Sequence, residues 1–155
     1  MTIPPLCRAG IVLGLGLGGL FDGIVLHQIL GWHHLVCTTE TCRPDSISAL
    51  EKQITQDGFF DLAVWLLTLA GIVLLFRVTR QQPAIGSPQV FPGAILGGWG
   101  TFNFVEGLVD HQILGLHHVL PGHPHQFLFD MLFLASGLLL VAGGWAMARN
   151  AANVS

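Results

Sequence analysis

Four long apolar runs decide what this chain can fold into. Residues 9–34, 59–78, 93–118 and 127–148 are each about 20 residues or more, mostly apolar. At about 1.5 Å of rise per residue, a helix of that length crosses a bilayer. Composition agrees. Of 155 residues, 52% are hydrophobic and only 10% are charged, where a soluble domain carries about 25% charged residues. The mean hydropathy is +0.65. A net charge of −3 with no basic patch argues against a nucleic-acid partner. The expected fold is all-α: an integral membrane four-helix bundle in one transmembrane domain, with the lipid bilayer as its main partner. The first run has no A-x-A-like site after it and continues past signal-peptide length, so it is read as a retained span.

Basic residues orient the spans. Arg8, Arg77, Arg80 and Arg149 flank one side, whereas Arg43 and Lys52 lie on the other, in a loop richer in acids. The positive-inside rule then places both termini in the cytoplasm, together with the Pro/Gly-rich loop TRQQPAIGSPQVFPG. The expected location is a bacterial cytoplasmic (inner) membrane, crossed several times. On the outer side, Asp45-Ser-Ile-Ser48 is placed to cap a short surface helix.

The chain also repeats itself. HQILGWHH at His27–His34 returns as HQILGLHH at His111–His118, with all letters but one shared. The same offset pairs Asp22 with Glu106, Gly23 with Gly107 and Val25 with Val109. Further on, FFD at Phe59–Asp61 pairs with LFD at Leu128–Asp130, which implies a shorter connecting loop in the second half. The halves, about 9–78 and 93–148, read as two parallel two-helix repeats about an axis along the membrane normal.

GLFDGIVLHQILGWHH, then the DGFFD element, then the second HQILG-x-HH, together resemble a family of small bacterial predicted inner-membrane proteins carried as a domain of unknown function. The resemblance covers nearly the whole chain. It implies a four-span inner-membrane protein and supplies no activity, ligand or catalytic residue.

The polar residues inside these runs need a reason, because an ionisable group at membrane depth is costly unless paired or functional. All eight histidines fall in the outer half, near Asp22, Asp57, Asp61, Glu106, Asp110 and Asp130. One by one they have plain explanations: interhelical hydrogen bonds, headgroup contacts, or helix N-caps for Asp61 and Asp130. Duplication of the set on one side favours a metal site instead. The candidate ligands are His27, His33, His34, Asp61, His111, His117, His118 and Asp130. Asp22, Glu106 and Asp110 are candidates for orienting the ligands or relaying protons. Neutral imidazole and carboxylate suit Fe, Zn, Mn or Cu(II), whereas soft Cu(I) prefers Met and Cys.

Helical geometry sets further expectations. His27 faces His111, and one level higher His34 faces His118, with Asp61 and Asp130 entering from spans two and four, so two metals have room. His33 and His34 diverge by about 100°, so at most one of them turns inward. Asp22 and His27, five apart, are poorly placed to share an ion unless a π-bulge intervenes.

Other readings stay open: a haem held by His27 and His111, a proton- or ion-transport component, or a non-enzymatic scaffold for a membrane complex or homo-oligomer. The apolar inner halves of spans one and three disfavour a through-pore. Whether the chain is an enzyme is open. Cys37 and Cys42 in the outer loop are read as a disulfide, with metal ligation the alternative. Gly14–Gly19 fits G-x-G-x-x-G by letter only. Gly10, Gly14 and Gly18, like Gly19 with Gly23 and Gly93 with Gly97, read better as seams for close helix packing.

Overall fold

A computed structural model describes residues 3–38, 41–81 and 89–152. Helix α1 (Pro5–Phe21) runs on as a π-helical segment, Asp22–Ile29. Helix α2 spans Ile47–Gln81. Helix α3 (Val90–Glu106) continues as a second π segment, Gly107–Ile113, and α4 spans Gln126–Ala152. There is no strand among the described residues.

Among the described residues, three stretches are long and apolar enough to cross a membrane: Pro5–Ile29, Ile47–Gln81 and Gln126–Arg149. Helix α3 is diluted by glycines, Thr101 and Asn103. It packs between α1 and α4, while α1 packs on α2 and α3, so α3 has less surface to offer lipid. Helices α2 and α4 sit on the flanks and expose Trp65, Leu66, Ile72 and Phe76, and Leu132, Leu138, Leu139 and Trp145 respectively. That outward greasy face is what a bilayer solvates.

Close packing on small residues holds the helices together, as it must where lipid tails remove the hydrophobic drive between spans. A Cβ on Gly14 would stand 2.1 Å from the Ile95 carbonyl oxygen, and one on Gly98 would stand 2.2 Å from that of Ile11. The two contacts are counterparts of each other, since the offset between the octapeptides also relates Gly14 to Gly98 and Ile11 to Ile95. Gly16 and Gly71 admit Thr68 and Leu13 between α1 and α2, and Gly100 and Gly144 do the same for Val141 and Gly97 between α3 and α4.

Helix ends differ from the expected runs. Helix α2 starts at Ile47, where the Ser46 hydroxyl accepts the Ala49 N–H at 3.3 Å, so the surface helix and the second span are one continuous helix. The first helical run stops at Ile29, not His34, and the second at Ile113, not His118. At each stop a glycine of the octapeptide turns left-handed: Gly31 at φ 57° and Gly115 at φ 58°, a conformation other residues adopt at a cost of about 1–2 kcal/mol. The Trp32 N–H then bonds the Leu26 carbonyl at 2.9 Å and the Leu116 N–H bonds that of Asp110 at 2.9 Å. The closing histidines of both octapeptides therefore sit on loops, outside helical geometry. Part of the expected cytoplasmic loop, residues 82–88, lies outside the described residues.

Candidate metal centre

The π segments build the floor of the site. Their hydrogen bonds run from residue i to i−5, one residue wider than in an α-helix, which brings side chains five apart onto one line. Asp22 Oδ2 thus reaches 2.9 Å from His27 Nε2. In the second half Glu106 and His111, also five apart, stand with His117 in a group whose ligand atoms all lie within 4.8 Å of one another.

The left-handed glycines build the roof. They fold each loop back so that His33 and His117, each only 1% exposed, enter the centre. Their rings stack at 4.6 Å with 9° between planes. His33 Nδ1 donates to the Val119 carbonyl at 2.9 Å, and His117 Nδ1 donates to the Leu35 carbonyl at 3.0 Å. A carbonyl only accepts, so Nδ1 carries the proton and the neutral ring turns an Nε2 lone pair inward. Each ring is oriented by the loop of the opposite half. His33 Nε2 lies 3.8 Å from Asp22 Oδ1, and His117 Nε2 lies 3.8 Å from Glu106 Oε1.

Carboxylates from α2 and α4 support the walls. Asp57 Oδ1 sits 3.2 Å from His27 Nδ1 and accepts the Leu35 N–H at 2.8 Å, while its Oδ2 bonds His34 Nδ1 at 2.6 Å. Asp130 repeats this: Oδ1 is 3.6 Å from His111 Nδ1 and accepts the Val119 N–H at 2.9 Å, and Oδ2 bonds His118 Nδ1 at 2.6 Å. Phe60 and Phe133 back the rings of His27 and His111 at 5.5 and 5.3 Å.

The residue that matches Asp130 in its contacts is therefore Asp57, not Asp61. The register that pairs Asp57 with Asp130 also pairs Gln53 with Gln126, Phe60 with Phe133 and Gly71 with Gly144. Matching FFD to LFD sets α2 and α4 one helical turn out of this register, and it overstates how much shorter the second connecting loop is. Sequence reasoning noted Asp57 only as a nearby acid. The signal that finds it is the shared Q-x3-D-x2-F spacing at Gln53–Phe60 and Gln126–Phe133.

The structure brings four of the candidate histidines together, His27, His33, His111 and His117, and places Asp22 and Glu106 among them. The rings stacked across the halves are those of His33 and His117, not His34 and His118. Side chains of His34 and His118 stand at the outer edge, 17% and 29% exposed. Asp61 stays apart: it accepts a hydrogen bond from Gln28, abuts Gly23, and has Leu134 at its place in the second half. Asp110 is half-buried within the second π segment. His123 and His125 pack on each other in the last loop, centroids 5.6 Å apart.

What marks the centre chemically is its unused bonding capacity. Both oxygens of Asp22 and of Glu106, both ring nitrogens of His27 and of His111, and Nε2 of His33 and of His117 are buried without a hydrogen-bond partner. His27 approaches Asp22 and Asp57 to bonding distance, but off the line a hydrogen bond requires. A buried polar atom left unpaired costs about 1–3 kcal/mol, and most of these atoms belong to six residues gathered in one cluster, with Gln53 Oε1 and Asp61 Oδ1 unpaired outside it. Three overlapping sets have ligand atoms close enough for one ion: His27, His33 and His117; Glu106, His111 and His117; and Asp22, His27 and Glu106.

Fold and site together define a helical membrane protein whose buried polar residues gather into His/carboxylate groups able to hold a metal. Residues 9–151 match the family described as "Predicted membrane protein (DUF2243)", and the chain belongs to it. Neither a curated protein nor a solved structure matches the chain.

Proposed function

We propose that this protein is a membrane metalloprotein. The chain crosses the bilayer four times as two parallel two-helix repeats, and the repeats close around one His/carboxylate centre near the outer face of a bacterial cytoplasmic membrane. His27, His33, His111 and His117 are the imidazole ligands, with Asp22 and Glu106 the carboxylate ligands. Asp57 and Asp130 orient His27 and His111 from behind, the role that outer carboxylates play for metal-bound histidines. The donor set suits Fe, Zn, Mn or Cu(II), and its six side chains offer enough ligands for two ions. The convergence of buried, unpartnered lone pairs carries this reading.

A bis-histidine haem fits less well. Axial imidazoles face each other across a macrocycle, whereas these rings stand 4.6 to 6.2 Å apart and fill the space between them. Proton or ion conduction, and a scaffold role in a larger membrane complex, lack an observation of that weight.

Elemental analysis and an absorbance spectrum of protein purified from metal-replete cells test the proposal. Near-stoichiometric transition metal is expected in the wild type, with loss in the His33→Ala/His117→Ala double variant. Metal-free wild-type protein overturns it, and a Soret band replaces it with the haem reading.

A further inference from the structure

One feature of the outer end has no counterpart in the second half. Cys37 and Cys42 form a disulfide, while the position matching Cys37 at the octapeptide offset is Pro121. The two sulfurs have unlike surroundings. Cys37 is 1% exposed. Cys42 is half-buried and lines a pocket of about 320 Å³ between the loop ends of the two halves, with Gly31, Trp32, Arg43 and Pro121 among its neighbours. Among the described residues, Arg43 is the one charged side chain lining that pocket. Behind it, Cys37 Sγ accepts the His34 backbone N–H at 3.2 Å, and the Cys37 N–H bonds the Leu116 carbonyl at 3.0 Å.

We infer that Cys37–Cys42 is a thiol–disulfide exchange site, in which an incoming thiolate attacks Cys42 Sγ from the pocket and Cys37 departs as the thiolate. Exchange requires an accessible sulfur for the attacker and a stabilised leaving sulfur. The pocket supplies the first, and Arg43 there draws an anionic thiolate inward. The His34 N–H supplies the second, because a donor already seated on Sγ strengthens its bond as charge develops. The incoming thiol loses its proton to solvent. Its sulfur forms a new bond to Cys42 as the Cys37–Cys42 bond breaks, and the electron pair of the broken bond stays on Cys37. A second thiol of a dithiol donor then releases Cys42, so the donor is oxidised to its disulfide and this chain gains two thiols. The co-reactant is thus a reducing thiol or dithiol.

The departing sulfur holds the N–H of His34, next to His33, while the Cys37 N–H holds the carbonyl of Leu116, next to His117, so the residue that carries it joins the two loops of the candidate centre. The exchange itself does not depend on a metal being there.

Limiting glutathione, an anionic thiol, is the probe. Oxidised, detergent-purified protein is treated at low ionic strength, quenched in acid, alkylated with N-ethylmaleimide and mapped by fragment mass analysis. Glutathione is expected on Cys42 and the maleimide on Cys37. The reaction should run faster with glutathione than with the cationic thiol cysteamine, once each rate is corrected for thiolate fraction. In Arg43→Gln, that preference should shrink several-fold. Glutathione on Cys37, an even split, reaction only after denaturation, or an undiminished preference in Arg43→Gln would each overturn the inference.

Discussion

At the residue scale, like side chains do different work depending on which partner they meet. Asp57 and Asp61 are one turn apart on α2, yet only Asp57 binds His34 and faces His27. Asp57→Asn should therefore weaken metal retention by about 10–100-fold, the usual effect of losing a carboxylate behind a histidine ligand, and Asp130→Asn should do the same. Asp61→Asn should change it much less. A chelator competition titration checks the ranking, and equal effects of Asp57→Asn and Asp61→Asn would contradict it. Gly31 and Gly115 carry a backbone demand instead. Alanine at either should lower stability by about 1–2 kcal/mol, the cost of a left-handed residue bearing a Cβ, measured as a lower midpoint of thermal unfolding in detergent. The spacing of HQILG-x-HH made these glycines visible as shared by the two halves, but not that they end the helices.

Among the elements, two devices position the site: the glycine seam and the π segments. Along the seam, Gly14→Ala and Gly98→Ala set a methyl against a backbone carbonyl that cannot swing aside. Each should destabilise by about 1–3 kcal/mol through overpacking. Gly97→Ala and Gly143→Ala meet nothing within 4 Å and should leave unfolding unchanged. Matching midpoints for Gly14→Ala and Gly97→Ala would remove the seam from the account. On α1 the seam was legible from the four-residue glycine spacing, because lipid-embedded helices have few other ways to approach closely; on α3 the same spacing pointed to Gly97, whereas Gly98 makes the contact with α1. The π register was legible only as a condition on Asp22 and His27. Apolar periodicity carries no mark of one widened turn, so hydropathy extended both helical runs through His34 and His118, beyond their actual ends.

For the whole molecule, the centre belongs to neither half. His33 is oriented by the Val119 carbonyl and His117 by that of Leu35, and the backbone bond from Cys37 to Leu116 ties the same loops together. Residues 1–81 or 82–155 expressed alone should bind no metal, and co-expression should restore it; metal bound tightly by one half would argue against a shared centre. For orientation, single cysteines at Asp45 or His123 in a Cys-free background should react with an impermeant maleimide from outside the cell, and one at Thr79 should not. Read alone, the sequence determined that the chain is helical, built for a bilayer, and duplicated with its histidines and their neighbouring acids toward one end. Apolar run length and repeated spacing are linear properties, and these conclusions follow from them. The tertiary structure decided which of those groups meet. That depended on a widened helical turn, a left-handed glycine and hydrogen bonds exchanged between loops distant in the chain, all governed by local backbone energies and long-range partners on which hydropathy and spacing are silent.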